Sequence, residues 1–133
     1  MTIQVLQPAS WPRPKGYANG MVAEGRLVFV AGQVGWSEQQ QFPETLAAQV
    51  CQALKNIVAV LREADARPEH IVRLTWYVTS RDEYHIELPK IGQAYREILG
   101  RHFPTMAVVQ VVGLMEAKAK VEIEATAVVP YAR

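Results

Sequence analysis

With 133 residues, half of them hydrophobic and a fifth charged, the chain reads as one folded domain, 1–133, long enough for a continuous core. A formal net charge of +1 lacks the basic footprint of a nucleic-acid binder, and no apolar run reaches the ~18–20 residues of a membrane span. The single cysteine, Cys51, excludes an intrachain disulfide, and Met1 to Ser10 shows no signal-peptide pattern, so the expected location is cytoplasmic.

In chain order, Ile3 to Leu6 is a short extended piece. The PASWPRPKGYANG stretch after it is a loop, because Pro8, Pro12 and Pro14 break helix and sheet alike. Met21 to Glu24, a turn at Gly25 and Leu27 to Val34 read as a hairpin whose second strand is apolar on both faces up to Gln33. Pro43-Glu44-Thr45 opens a helix with an acid near its positive end. Leu46, Ala47, Val50, Leu54, Ile57, Val58 and Leu61 form its apolar stripe, which ends near Ala66 and Pro68.

Ile71 to Val78 alternates apolar and polar residues as a strand does, and Ser80, Arg81 and Asp82 close it. A second helix is expected from about Leu88 to Leu99, with Pro89 in its first turn and Gly100 as its stop. The two best strands follow. Met106 to Val112 is apolar on both faces, and Lys120 to Val129 sets Val121, Ile123, Ala125 and Ala127 against Lys120, Glu122, Glu124 and Thr126.

This order predicts an α+β fold, a sheet with both helices on one face. Strands apolar on both sides need cover on the other face too, and further copies of the same chain are the expected cover.

Chemistry-bearing motifs are sparse. The chain has no phosphate-loop, dinucleotide, nucleophile-elbow or H-E-x-x-H signature, and His70, His85 and His102 lack ligand spacing, so no metal site is expected. Cys51 sits on the apolar helix stripe as an inert thiol. Glu122 and Glu124 break an otherwise apolar pattern and point to one face. Two readings stay open for them. They form a solvated polar edge neutralised by Lys120, or they border a subunit junction, where a partly desolvated carboxylate can hold or move a proton near neutral pH. Tyr17, beside Gly16, is either a surface aromatic or a lid over a pocket.

Gly16-Tyr17, Ala31-Gly32-Gln33, Leu54-Lys55-Asn56-Ile57, Ile71-Val72-Arg73-Leu74-Thr75, Phe103-Pro104 and Val121-Glu122-Ile123-Glu124-Ala125, in that order, resemble the Rid superfamily, also called the RidA or YjgF family. The resemblance implies a chorismate-mutase-like α+β fold, a six-stranded mixed sheet with two helices on one face, and a homotrimer with pockets between neighbouring subunits. It also implies a small-molecule ligand, no cofactor, and hydrolysis of reactive imines or enamines. In those deaminases an arginine two residues after the proline of the Phe-Pro motif clamps the substrate carboxylate. Met106 stands there in this chain. Ala31 replaces the serine before Gly-Gln, Gly92 falls at the substrate-side asparagine, and Val108 at the cysteine two after the arginine. Tyr17, Gln33 and Glu122 match, Glu122 at the carboxylate proposed to handle the attacking water. The loop between Met106 and Glu122 reads one residue longer. The expected site is therefore Glu122 as the catalytic group, with Tyr17, Ala31, Gln33, Gly92, Met106 and Val108 around the ligand. Arg101 is a candidate replacement cation or a solvated helix-end charge.

Overall fold

The computed structural model describes residues 3–131; the first two and last two residues, which the expected domain 1–133 includes, lie outside them. Six strands and two helices follow in the order β1 (Ile3–Leu6), β2 (Gly20–Ala23), β3 (Arg26–Val34), α1 (Leu46–Arg62), β4 (Ile71–Val78), α2 (Arg81–Leu99), β5 (Thr105–Gln110) and β6 (Val121–Val129). Their hydrogen bonding divides them. β3, β6, β4 and β5 form a mixed four-stranded sheet in that order, and β1 and β2 form a separate ribbon. β6 is antiparallel to both neighbours, and β4 with β5 is parallel.

The expected hairpin between Met21–Glu24 and Leu27–Val34 is not formed. β2 pairs with β1, and β3 pairs with β6 from Arg26↔Val129 to Val34↔Glu122. The nine-residue β6 offers β3 a longer, more apolar partner than the four-residue β2 does. Gly25 is the corner between the two systems, since a Cβ there would collide with the Val129 carbonyl.

α1 buries Leu46, Ala47, Val50, Leu54, Ile57 and Leu61, the expected stripe, with Val58 only partly covered. The Thr45 hydroxyl accepts from the Ala48 N–H at 3.1 Å and caps the helix. No acid of its own lies in the first turn. Instead Glu87 of α2 accepts from the Ala47 N–H at 3.0 Å, so a carboxylate from the neighbouring helix meets the positive end.

α2 starts seven residues before its expected position. Ser80, read as a strand stop, is the N-cap and accepts from the Glu83 N–H at 3.1 Å, with Asp82 and Glu83 in the first turn. Pro89 therefore lies inside the helix rather than in its first turn. It sits on the exposed side, as does His85 four residues before it, so water can reach the carbonyl that proline leaves without a partner.

Ile91, Tyr95 and Leu99 of α2 join Leu74, Trp76, Val121, Ile123 and the α1 stripe in one core on one face of the sheet. Buried Gln49 ties that core to the loop before β6. Its Nε2 donates to the Pro43 and Lys118 carbonyls at 2.9 and 3.0 Å, and its Oε1 accepts from the Lys120 N–H at 2.8 Å. Gln49→Leu strands three backbone groups and is expected to cost about 2–3 kcal/mol, measured as a lower urea midpoint at unchanged slope.

Between α1 and β4, His70 Nδ1 accepts from the Arg67 N–H at 3.0 Å, which requires a neutral ring. Burial is the main cause holding its pKa below the ordinary histidine value. The unfolded chain then binds the extra proton, so this contribution is present above the ordinary value of about 6.5 and is lost as pH falls through the lower folded value. Urea unfolding at pH 5 and 7.5 is expected to show a stability drop that His70→Asn reduces.

The other face of the sheet is open. Leu27 is 62 % and Phe29 72 % exposed, and Ala31, Ala107 and Val109 are exposed on the same side. Among the described residues no helix is long and apolar enough to cross a membrane.

Candidate functional site

The sheet divides the expected site residues into two groups. Met106 and Val108 on β5 are in register with Leu74 and Trp76, so they point toward the helices. The 14–18 loop is stitched beside them, with the Ala18 N–H donating to the Pro104 carbonyl at 3.0 Å and Ala18 bridged to Thr105. This brings Tyr17, 43 % exposed, against the mouth of that face.

Two adjoining cavities result. One, of about 420 Å³, lies between α2 and β4–β5 and has Trp76, Tyr84, Gly92, Tyr95, Arg96 and Met106 in its wall. The other, of about 260 Å³, is lined by Lys15, Gly16, Tyr17, Tyr84, Met106 and Val108. Lys15, Gly16, Tyr84 and Met106 belong to both, so Tyr17, Gly92, Met106 and Val108 share one neighbourhood within a single chain.

Aromatic packing shapes its floor. The rings of Trp76 and Tyr95 stack at 6.4 Å and those of Tyr95 and Phe103 at 5.5 Å. The Tyr95 hydroxyl donates to the His102 carbonyl at 2.5 Å, and burial pushes its pKa far above the ordinary tyrosine value, so it stays protonated.

Glu122, Ala31 and Gln33 form the second group. Glu122 is in register with Tyr77 on β4, and Glu124 with Thr75, so both carboxylates stand on the open face. The Tyr77 hydroxyl donates to Glu124 Oε1 at 2.7 Å, and that acceptor is the main reason the phenol's pKa is raised. Glu122 is half-buried and, among the described residues, receives no side-chain hydrogen bond. Its carboxylate lies over Gly32, where a Cβ would collide with it. Gly32 falls in the irregularity of β3 between Val30 and Gln33. Gln33 Nε2 donates to the Ala31 carbonyl at 3.1 Å across the same bulge. Ala31 opens into a cavity of about 440 Å³ on the open face, beside Phe29, Arg73, Thr75, Glu124 and Thr126.

Lys120 does not neutralise Glu122 or Glu124. Its ammonium pairs with Glu83 of α2 at 2.9 Å, because β6 begins one residue later, at Val121, and Lys120 belongs to the preceding loop. Arg101 is an exposed residue of the α2–β5 loop, and the cations against the Met106 cavity are Lys15 and, from α2, Arg96. The sequence carried a signal for this. Arg96 lies four residues after Gly92, and helical side chains lean toward the preceding turn, over a position that has no side chain of its own.

Glu122 and Met106 thus face opposite sides of one sheet, with β4 between their strands, a lateral offset of about 10 Å. Within one chain they do not meet.

Residues 10–129 match the family model described as endoribonuclease L-PSP. The chain is 29% identical over 133 residues to a RutC family protein of Synechocystis sp., covering 98% of this chain and 99% of that one. It is 27% identical over 127 residues to a rat protein named 2-iminobutanoate/2-iminopropanoate deaminase, covering 94% and 89%. A crystal structure from Yersinia pestis, described as a Rid family protein of unknown function, superposes with a TM-score of 0.83 at 30% identity over 97% of this chain and 100% of that one. With a family match across nearly its whole length and the two helices, mixed sheet and ribbon in place, this chain belongs to the Rid (RidA/YjgF) superfamily.

Proposed function

We propose that the chain hydrolyses an imine or enamine at pockets built between copies of itself, three in a closed ring. The observation that carries this reading is the split site. Glu122 and Ala31 stand on an uncovered face whose outer strands expose Leu27, Phe29 and Val109, whereas Tyr17, Gly92, Met106 and Val108 stand on the other. A second copy seated on the open face is the way to bring the two groups together. The deaminase name of the rat relative supports the reaction class.

In the reaction Glu122 takes a proton from water as the oxygen bonds to the imine carbon, and the C=N electron pair moves to nitrogen, which takes up a proton. The carbinolamine then breaks its C–N bond, ammonia leaves after protonation, and the carbonyl forms. No cofactor is needed, because water supplies the oxygen and both protons return through the carboxylate or solvent. The wall of Met106, Tyr84 and Phe103 suits a larger and more apolar substrate than the smallest imino acids.

Met106 at the place of the family's clamping arginine favours a second reading, a trimer that binds a metabolite without turning it over. Small and large imines generated in situ from amino acids separate the two. The hydrolase reading expects ammonia release from the larger, apolar imines to accelerate in proportion to added protein. No acceleration of any of them, with tight binding of an apolar metabolite, supports the binding trimer.

A further inference from the structure

Two side chains, Arg96 and Trp76, converge on the cavity between α2 and β4–β5, and neither the family resemblance nor the proposed reaction uses them. Arg96 is exposed and lines this cavity, and the ion pairs among the described residues, Arg67–Glu69 and Lys120–Glu83, leave it without a carboxylate. Its Nη1 lies 3.2 Å from where a Cβ of Gly92 would stand, so the guanidinium occupies the space that glycine vacates. Trp76, 2 % exposed, also lines the cavity, and its Nε1–H is the buried side-chain donor that finds no partner among the described residues. Lys15 of the loop before Tyr17 also lines the cavity, as a single ammonium rather than a planar fork, and the other side chains of the wall are apolar or aromatic.

A buried donor left unpaired is costly, and a planar guanidinium held over a glycine matches a carboxylate's two oxygens. From this arrangement we propose that Arg96 is the anion-binding group of the Met106 pocket and that Trp76 Nε1–H donates to a ligand acceptor atom there. The ligand is then a 2-imino or 2-oxo acid with a flat, apolar side chain. Its carboxylate reaches Arg96 at the rim, and its ring lies against Met106, Phe103 and Tyr84. This deepens the reading of the pocket as the substrate site and rests on it. Arg96 binds and orients; it does not take part in proton transfer.

The test is calorimetric binding of phenylpyruvate to the full chain, with pyruvate and the neutral benzyl methyl ketone as comparisons. Arg96→Gln is expected to weaken phenylpyruvate about 10- to 100-fold and the neutral ketone less than about 2-fold, with partial recovery in Arg96→Lys. Arg96 is exposed, so these variants keep the fold. The Trp76 indole N–H resonance, assigned by its loss in Trp76→Phe, is expected to move on addition of either aromatic ligand. Equal phenylpyruvate affinity in wild type and Arg96→Gln, or a loss that follows Lys15→Ala instead, overturns the anion assignment. Pyruvate binding as tightly as phenylpyruvate overturns the apolar part, and an unmoved indole resonance at saturation overturns the donor role. Binding needs no turnover, so Arg96-dependent affinity without ammonia release sinks the hydrolase and leaves this inference standing. Glu122-dependent release with Arg96-independent binding does the reverse.

Discussion

Glu122→Gln is expected to slow ammonia release from a large apolar imine by at least about 100-fold, the usual effect of removing a positioned proton-transfer group. The glutamine keeps the size of the side chain lying over Gly32, so substrate affinity and thermal stability should hold. Glu124→Gln is the matched control. Glu124 is exposed and already accepts the Tyr77 hydroxyl, so its loss should leave the rate within about 3-fold. Stopped imine assays on the two variants therefore discriminate between carboxylates two residues apart on one strand. Equal rates for wild type and Glu122→Gln would remove the catalytic assignment. Gly32→Ala offers an independent check, because its Cβ displaces the Glu122 carboxylate without removing it and should lower the rate with little change in urea midpoint.

Phe29→Asp is expected to convert the proposed trimer into single copies in sedimentation velocity and to abolish the proposed ammonia release with it. Phe29 is 72 % exposed in the single chain, so the substitution costs little within one copy. Burying Phe29 against a neighbour contributes about 1.5–3 kcal/mol per copy, and an aspartate there adds an unpaired buried charge. Loss of assembly and loss of activity should coincide, because the Glu122 group and the Met106 group stand on opposite faces of one chain and the proposed reaction joins them across a junction between copies. A wild-type protein that sediments as a single copy, or a Phe29→Asp variant that keeps full activity as a single copy, would break that link. Arg96-dependent binding of phenylpyruvate in the single-copy variant would still report on the α2 cavity by itself.

The α1 stripe, the alternation of β4 and the alternation of β6 were legible because each is a local periodicity that a sheet or helix must bury. The start of α2 was not. Ser80, Arg81 and Asp82 carry both strand-ending and helix-capping chemistry, and Pro89 fits a first turn as well as it fits the exposed side of a helix that starts earlier. The partner of β3 was equally out of reach, since a turn glycine followed by an apolar strand fits a hairpin as well as a corner between two sheets. Around the site, Glu122, Tyr17, Gln33 and Met106 stood out through family resemblance. Arg96 and Trp76 did not, because a solvated helix arginine and a core tryptophan look ordinary until a cavity joins them.

By itself the sequence determined which residues alternate, which stripe is apolar, and that two carboxylates of β6 share a face, because these follow from the fixed periods of strand and helix. Tertiary structure decided the rest. It set β4 between β5 and β6, placed Met106 and Glu122 on opposite sides of the sheet, and gave Lys120 to Glu83. Those outcomes depend on long-range pairing, which no local pattern encodes.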